Sequence, residues 1–323
     1  MDLLPKNADG CPFLILAPME GVGDRPFRKA MASVGGFDEA VREFLRVPKN
    51  PHIPSLAACY DADELSPIPM AAQLMGSDPE LMGEMAQEIE RRGARRIDLN
   101  CGCPSNTVTG RGAGSSLLKE PRFLYEVAKA MVRAVKIPVT LKMRSGYEDI
   151  SLFRENLQAA EESGVRYITL HPRTKVDGYG PPARWDLIAE AKSVLKIPLV
   201  GNGDILTVQH ALKMLQETGC DALMIGRGCI INPFIFHEIK AHFSGRPHQV
   251  EWRDLEKYLG VFISETPDHI PGKTRVNKLK QLLGFLFKKN PALLEKRMAI
   301  LTSQFSDPDA FLGFALPLLN EDF

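Results

Sequence analysis

Cys103 is the first candidate for chemistry in this chain of 323 residues. It lies just past a short apolar run and directly before Pro104, so it is expected on a constrained turn. A thiol can deliver a proton or attack as a thiolate, depending on its pKa. The alternative is a small apolar filler, which is the common role of an unpaired cysteine. Cys101, two residues earlier, is expected to be such a filler.

Three polar residues lie at the ends of other apolar runs and suit a bound ring system. Lys142 at a buried strand end is costly unless it meets an anion or a polar ring, and a flavin offers such a partner. Gln73 can donate and accept at the same time, which suits a pyrimidine-like edge. His171 is a candidate for binding phosphate or ring oxygens, although a single histidine is more often structural. Together, at consecutive strand ends, they indicate a binding site.

Glycines after the last two apolar runs predict a phosphate site. The two segments are Gly201-Asn202-Gly203-Asp204 and Gly226-Arg227-Gly228. Glycine lets the backbone approach an anion, a following helix supplies free N–H donors, and Arg227 would add a charge-assisted contact. The alternative is a pair of ordinary tight turns. A third glycine-rich stretch, Thr109–Ser116, lacks the ending of a P-loop and is interpreted as a loop that contacts substrate.

Eight short apolar runs predict the strands that position these side chains. The runs are Phe13–Ala17, Phe37–Val41, Pro69–Leu74, Arg95–Asn100, Pro138–Lys142, Arg166–His171, Pro198–Gly201 and Asp221–Ile225. Helical patterns separate them, which favours a (β/α)₈ TIM barrel. A doubly wound sheet is the alternative, but Pro18-Met19-Glu20-Gly21 after the first run is not its dinucleotide fingerprint. Active sites of TIM barrels lie at the C-terminal ends of the strands, so the polar residues are expected to converge there.

No strand-like run follows Trp252, and four helical segments fill the rest of the chain. We predict a barrel domain over residues 1–246 and a small all-helical C-terminal domain over residues 247–323. Between Ile270 and Ile300, eight Lys and Arg residues accompany one acid, Glu295, which gives a local charge of eight minus one, or +7. Such a strip is typical of a surface that binds an RNA backbone. The alternative is a solvated helix surface, which usually alternates in sign.

Composition excludes several classes of protein. Lys and Arg total 40 and Asp and Glu total 40, so a uniformly basic coat is excluded. No apolar run reaches the ~20 residues that a membrane span needs, and the N-terminus has no signal-peptide pattern. The six cysteines have no Cys-x-x-Cys spacing and are interpreted as reduced thiols of a cytoplasmic protein, with no metal site expected.

The strand-end motifs together resemble the tRNA-dihydrouridine synthases. The matching segments are Ala17-Pro18-Met19-Glu20-Gly21, Gln73-Leu74-Met75-Gly76, Asp98-Leu99-Asn100-Cys101-Gly102-Cys103-Pro104-Ser105, Lys142-Met143-Arg144, His171-Pro172-Arg173-Thr174, Gly201-Asn202-Gly203-Asp204 and Ile225-Gly226-Arg227-Gly228. The resemblance spans the barrel and continues more weakly into Arg275–Leu283. Glu43–Val47 and Cys103–Val108 look most like the bacterial C-type branch, which modifies uridine 16 of the D-loop. Asn106 and Pro172 depart from the family's pattern.

The resemblance implies an enzyme with flavin mononucleotide (FMN) that reduces the C5–C6 double bond of a tRNA uridine, using NADPH. Hydride would pass from the reduced flavin to C6, and Cys103 would be the general acid that protonates C5. A monomer is expected for a barrel with an appended domain that holds RNA. The flavin would be held by Pro18, Met19, Glu20, Gln73, Lys142, His171, Asn202, Gly203, Asp204, Gly226 and Arg227. The tRNA would be contacted by Asn100, Arg144 and Arg173 near the base, and by Arg275, Lys278 and Lys280 in the helical domain.

Three other functions stay open at this point. An FMN-dependent dehydrogenase for a small pyrimidine or dihydroorotate would share the phosphate loops and Lys142, but it would not need the basic strip. A non-catalytic RNA-binding barrel is expected to have lost Cys103 or Lys142, and both are present. A barrel that only binds a sugar phosphate leaves Cys103 and Gln73 without a role.

Overall fold

A computed structural model describes residues 3–104, 112–180, 182–286, 288 and 294–320 of the chain. Its strands are β1 (Phe13–Leu16), β2 (Glu39–Val41), β3 (Leu45–Arg46), β4 (Met70–Met75), β5 (Ile97–Cys101), β6 (Val139–Gly146), β7 (Ile168–Thr174), β8 (Leu199–Asn202) and β9 (Ala222–Ile225). Each of the eight runs expected from the sequence contains or overlaps one of these strands. The two-residue strand β3 was not expected.

Eight parallel strands close a barrel. Around it the order is β1, β2, β4, β5, β6, β7, β8 and β9, and β9 pairs back with β1. The short strand β3 adds to the rim, where Leu45 pairs with Leu74 of β4, beyond the point at which β2 pairs with β4. This topology confirms the predicted TIM barrel and its helical C-terminal segment. The parallel order also brings the C-terminal ends of all eight strands to one face.

The helices alternate with the strands and then continue alone after β9. They are α1 (Arg25–Val34), α2 (Ile53–Ala57), α3 (Pro79–Arg91), α4 (Pro121–Ala134), α5 (Phe153–Ser163), α6 (Trp185–Val194), α7 (Val208–Thr218), α8 (Arg227–Ile231), α9 (Ile235–Ser244), α10 (Trp252–Ser264), α11 (Gly272–Leu286), α12 (Leu294–Thr302) and α13 (Pro308–Asn320), with a 3₁₀ helix over Gly114–Lys119. Among the described residues, no helix is long and apolar enough to cross a membrane.

Local signals in the sequence explain where several helices begin and end. The Asp78 carboxylate accepts the backbone N–H groups of Glu80 and Leu81, which caps α3 just before Pro79. Gly164 and Gly219 end α5 and α7 in the left-handed conformation, with φ of 93° and 64°. Glycine adopts this conformation without the steric cost that a side chain brings, so it is favoured at both helix ends.

The interior of the barrel is apolar on one side and polar on the other. Ile15, Ala71, Val200 and Met224 belong to one buried cluster although their strands are not all neighbours, so they must meet inside the barrel. Strands β4, β5 and β6 instead bury polar side chains, among them Gln73, Asp98, Asn100 and Thr140. Buried polar groups need hydrogen-bond partners, so this half of the barrel must contain a connected network.

The chain divides into two compact units. One consists of residues 1–20 and 37–226 and contains all nine strands; the other consists of residues 21–36 and 227–323. In the second unit, α1 packs against α10, and α11 contacts α10, α12 and α13. The assignment of a catalytic domain to residues 1–246 and of an RNA-binding domain to residues 247–323 stays a prediction.

Candidate active site

Strands β6 and β7 extend further than the sequence suggested. The predicted runs ended at Lys142 and His171, whereas the paired strands continue to Gly146 and Thr174, which face each other in register. The backbone N–H of Lys175 then donates to the Gly146 carbonyl at 2.9 Å. Lys142 and His171 therefore lie within the paired ladder, opposite Thr169 and Arg144, although the register shifts between Arg144 and Gly146.

Cys103 lies on a turn that Asn100 organises. Strand β5 ends at Cys101, and the Asn100 Oδ1 then accepts the backbone N–H groups of Gly102 at 3.0 Å and Cys103 at 2.9 Å. On the other side, the Cys103 carbonyl accepts from the Ser115 hydroxyl at 2.8 Å and from its N–H at 3.3 Å. An asparagine suits this position because its short amide can bond backbone groups a few residues ahead. The backbone of the candidate acid is thus held from both sides.

The two neighbouring cysteines differ in their environment. Cys101 is fully buried, and burial, followed by the nearby Asp98 carboxylate, raises the pKa of its thiol well above the ordinary value. Cys103 is 8% exposed and lies in a small cluster with Met75 and Ala113. Cys101 therefore has the environment of a core residue, and Cys103 is the one of the pair that retains access to solvent.

Gln73, Asp98 and Asn100 form one hydrogen-bonded row inside the barrel. The Gln73 Nε2 donates to Asp98 Oδ2 at 2.8 Å, and the Asn100 Nδ2 donates to Gln73 Oε1 at 2.7 Å. The row joins a residue predicted to bind the cofactor to one predicted to lie near the substrate base. Asp98 was not predicted as a site residue, although it stands within the matching segment Asp98–Ser105.

Lys142 is a half-buried cation on β6, opposite Asn100 of β5. Burial, and then the positive charge of Arg144, lower the pKa of its ammonium from 10.5 to about 8, against the opposing effect of Asp98. Among the described residues, no group accepts a hydrogen bond from it. A desolvated cation without an acceptor is unfavourable unless a ligand provides one. Lys142 thus fits a polar or anionic ring system, and its binding to one stays a prediction.

Arg144 connects two loops of the catalytic face. Its Nε donates to the Gly102 carbonyl at 2.9 Å, and its Nη1 donates to the carbonyls of Thr174 at 2.8 Å and Gly178 at 2.9 Å. Burial lowers the pKa of this arginine, and its guanidinium lies 5.3 Å from the centre of the Tyr179 ring. Much of its donor capacity serves the backbone, so Arg144 ties the turn of Cys103 to the loop after β7.

Arg173 links His171 to Asp204. Its Nη2 pairs with Asp204 Oδ2 at 2.6 Å, and its Nη1 lies 3.1 Å from His171 Nε2. Because a guanidinium can only donate, His171 Nε2 must accept, which leaves the proton of a neutral imidazole on Nδ1. Arg173 is 3% exposed, so its charge is neutralised within the site.

The loop after β8 has the tight backbone that a phosphate site needs. Gly203 has a φ of 109°, and a Cβ atom there would lie 2.9 Å from Cδ2 of His171, so only glycine fits. The amide of Asn202 donates to the Met224 carbonyl at 2.8 Å and couples β8 to β9. Asp204, with a φ of 57°, also accepts the N–H of Ala183 at 2.9 Å.

The remaining residues predicted to bind the cofactor lie at the ends of β1 and β9. Pro18 and Met19 are half-buried, Glu20 is exposed, and a Cβ atom at Gly226 would lie 3.5 Å from the Met19 sulfur. Arg227 begins α8 and belongs to the second compact unit, whereas Gly226 belongs to the first.

The three cations predicted to hold tRNA already have partners within the helical unit. Lys278 pairs with Asp24 at 2.6 Å, Arg275 pairs with Asp268 at 3.3 Å, and the ammonium of Lys280 donates to the Ser303 carbonyl. The contact of Lys278 could not be foreseen, because Asp24 stands 254 positions before it. Other cations of the strip are exposed, among them Lys273, Lys288 and Arg297.

Some features were missed or fall outside the described residues. Tyr179 was missed; it is 58% exposed, and its ring centre lies 6.0 Å from that of His171. An aromatic residue between two glycines, shortly after the His-x-Arg-Thr motif, was the available signal. Asn106 lies outside the described residues, and so do the first three residues of the glycine-rich Thr109–Ser116 stretch, of which 112–116 is described. Among the residues that are described, no group of three or more His, Cys, Asp or Glu is arranged to hold a metal ion.

Comparison with known proteins now decides the family. The sequence profile described as "Dihydrouridine synthase (Dus)" matches residues 15–282. The chain belongs to the dihydrouridine synthase family. A tRNA-dihydrouridine(16) synthase of Neisseria meningitidis serogroup B is 36% identical over 85% of this chain and 86% of its own length. Proteins with the same description from Pseudomonas syringae pv. tomato (38% identical) and Shewanella oneidensis (37%) each match 86% of this chain and 90% of their own length.

Solved structures agree with the fold. Histamine dehydrogenase from Rhizobium sp. 4-9 has a TM-score of 0.54 at 16% identity, over 72% of this chain and 46% of that one. A 2-naphthoyl-CoA reductase has a TM-score of 0.53 at 14% identity, over 73% of this chain and 50% of that one. The chain therefore spans about half of each of these larger proteins, and the likeness shows the barrel fold alone.

Proposed function

We propose that this protein reduces a uridine of tRNA to 5,6-dihydrouridine, and that the uridine is at position 16. The observation that carries the proposal is the turn on which Asn100 holds Cys103, on the same inner row as Gln73 and beside Lys142. The position within tRNA rests on the names of the relatives, which are tRNA-dihydrouridine(16) synthases similar over most of their length.

The residues present fit a flavin mononucleotide. Lys142 has no acceptor among the described residues, and Gln73 retains one N–H and one lone pair beyond its bonds to Asp98 and Asn100. Bound FMN, reduced by NADPH, would supply the hydride for C6 of the uracil ring. Gln73, Lys142 and His171 would contact the ring system or its oxygens, with Pro18, Met19 and Glu20 at the end of β1. Asn202, Gly203, Asp204, Gly226 and Arg227 would hold the phosphate end.

Cys103 is the proposed general acid. Its thiol holds a proton at Sγ and gives it to C5 of the uracil as negative charge builds at that carbon. Addition of hydride at C6 and of this proton at C5 balances the reduction, and the thiolate that remains is protonated again from solvent. Asn100, Arg144 and Arg173 are the proposed neighbours of the base. Because Arg144 and Arg173 are largely engaged by backbone and by Asp204, their main contribution is to hold the wall of the pocket rigid.

The helical segment over residues 247–323 is the proposed tRNA-binding domain. A uridine can reach a pocket at the face of a barrel only when it is flipped out of its stack, and backbone contacts elsewhere can stabilise the tRNA during that step. Arg275, Lys278 and Lys280 were the sequence candidates for these contacts. Lys273, Lys288 and Arg297 are better candidates because they are exposed. It stays a prediction that the protein is a cytoplasmic monomer, that it prefers NADPH and that it needs no metal.

An anaerobic flavin titration tests the proposed function. Purified protein with FMN is reduced by NADPH, and tRNA without dihydrouridine is then added. Reoxidation of the flavin by tRNA, with dihydrouridine appearing at position 16, is the expected result. Reoxidation by free pyrimidines but not by tRNA would identify a small-molecule dehydrogenase instead. Failure to bind FMN after reconstitution would refute the cofactor assignment and favour a non-catalytic RNA-binding barrel.

A further inference from the structure

A buried ionic cluster lies behind the candidate site, deeper in the barrel. Arg96 pairs with Glu39 at 2.7 Å, and its Nη1 also donates to the hydroxyl of Thr140 at 2.6 Å. The Thr140 hydroxyl in turn donates to Asp98 Oδ1 at 2.6 Å, and the Arg96 guanidinium lies 3.7 Å from the same oxygen. Arg96 and Asp98 are 4% and 1% exposed, so this charge arrangement is held away from water.

The cluster connects directly to the row that ends at Cys103. Asp98 Oδ2 accepts from Gln73, whose oxygen accepts from Asn100, whose oxygen accepts the N–H groups of Gly102 and Cys103. Every bond between Asp98 and the backbone of Cys103 is 3.0 Å or shorter. The candidate acid therefore stands at one end of a continuous hydrogen-bonded chain, and the Arg96 pair stands at the other.

Chemistry fixes the direction of every bond in this chain. A carboxylate only accepts, so Gln73 must present its NH₂ group to Asp98 and its oxygen to Asn100. Backbone N–H groups only donate, so Asn100 must present its oxygen to the turn and its NH₂ group to Gln73. The Asp98 carboxylate at one end and the backbone N–H groups at the other therefore require the same orientations of the Gln73 and Asn100 amides. Neither amide can rotate by half a turn without placing two donors or two acceptors face to face.

We propose that Asp98 is the positioning residue of this active site: its carboxylate, held by Arg96 and Thr140, sets the orientation of the Gln73 and Asn100 amides and thereby the turn that carries Cys103. The catalytic consequence rests on the proposed function, whereas the structural consequence does not. An asparagine at position 98 removes the constraint, because its amide can present either a donor or an acceptor to Gln73. Both amides can then rotate, and the two N–H groups of the turn lose a fixed acceptor.

Hydrogen exchange of the turn tests this inference in protein without cofactor or tRNA. For Asp98→Asn, we expect the amides of Gly102 and Cys103 to exchange about fivefold faster or more, as the loss of one hydrogen bond each implies. Iodoacetamide should also alkylate Cys103 about fivefold faster or more relative to Cys59, an exposed thiol that serves as the internal reference. The milder variant Thr140→Val, which removes one bond to Asp98, should change both readouts in the same direction.

Asp221→Asn is the matched control. Asp221 pairs with Lys192 at 2.6 Å and accepts the Leu199 N–H at 2.8 Å in the same barrel, but it has no bond to the Cys103 turn. It should lower stability without changing exchange at the turn. Unchanged exchange and alkylation in both Asp98→Asn and Thr140→Val, or an equal change in Asp221→Asn, would overturn the inference.

Turnover separates the positioning role from the proposed function. If the wild-type protein reduces tRNA, Asp98→Asn should lower kcat by about tenfold or more while KM for tRNA changes by less than about twofold, because the acid is misplaced but the RNA-binding surface is intact. An equal change in KM and kcat would contradict a positioning role. If the wild-type protein does not reduce tRNA, the proposed function fails, and the exchange and alkylation results still decide the role of Asp98.

Discussion

Replacement of Lys142 by methionine should stabilise the protein without cofactor, by an amount that depends on pH. The pKa of Lys142 is lowered from 10.5 to about 8 in the folded protein. The difference of about 2.5 units, at 1.36 kcal/mol per unit, corresponds to a cost on the order of 3 kcal/mol for keeping this lysine charged in the fold. Methionine has a similar length and carries no charge, so Lys142→Met avoids that cost.

The sign of the pH dependence follows from the direction of the shift. Between pH 8 and 10.5 the unfolded chain holds a proton on Lys142 that the folded protein has lost. Raising the pH through this window therefore stabilises the folded wild-type protein relative to Lys142→Met. The advantage of the variant should be on the order of 3 kcal/mol below pH 8 and should disappear by about pH 10.5.

Chemical denaturation at several pH values measures this difference. The free energy of unfolding of wild type and Lys142→Met is determined from pH 7 to 10.5 without flavin, and only the difference between the two is interpreted, since all other groups titrate in both. Lys136→Met, at an exposed position of the same barrel, is the control for the loss of a lysine that stays in contact with water. If the difference in the free energy of unfolding between wild type and Lys142→Met does not change with pH, the lowered pKa is refuted. The interpretation of Lys142 as a buried cation without a hydrogen-bond acceptor is then refuted as well.

Two further predictions concern the acid and the RNA-binding surface. Cys103→Ala should leave FMN affinity unchanged and slow flavin reoxidation by tRNA about 100-fold or more in stopped-flow absorbance, whereas an unchanged rate would remove Cys103 from the mechanism. Lys273→Glu together with Lys288→Glu should weaken tRNA binding. The slope of the logarithm of the binding constant against the logarithm of salt concentration should fall by the amount that corresponds to about two phosphate contacts. Lys278→Ala removes a cation already paired with Asp24 and should reduce this slope less. A larger reduction in Lys278→Ala than in the double variant would favour Arg275, Lys278 and Lys280 as the tRNA contacts.

The strands were predictable because their sequence is simple. Strands buried on both faces are apolar at successive positions, and Phe13–Leu16 and Ala222–Ile225 have this pattern. The extension of β6 and β7 was not predictable, because Arg144 and Arg173 are charged and look like loop residues. They belong to strands because each arginine bonds to a partner on another segment, Arg144 to the Thr174 carbonyl and Arg173 to Asp204. Partners so far apart in sequence leave no local signal.

The identities of most site residues were predictable from the sequence, but their hydrogen-bond and ion-pair partners were not. Cys103, Gln73 and Asn100 stand out because their motif is specific, yet the row that joins them also requires Asp98, which looks like an ordinary strand residue. The basic strip was recognised from charge alone. Which of its cations are available depends on acids such as Asp24, the N-cap of a helix more than 200 positions away. Local pattern therefore identifies the chemical groups, and long-range pairing decides which of them remain available.

The charges in the site also predict how bound FMN changes the relative stability of wild type and Lys142→Met. Of the three cations, Arg173 pairs with Asp204 and Arg144 donates to backbone carbonyls, whereas Lys142 has no hydrogen-bond acceptor among the described residues. A ligand that offers an oxygen to Lys142 restores a favourable charged state and raises its pKa again. We therefore expect saturating FMN to reverse the order of stability at pH 7, with wild type above Lys142→Met, since ligand binding stabilises the form that binds more tightly. If FMN stabilises both proteins equally in the same denaturation assay, Lys142 does not contact the cofactor.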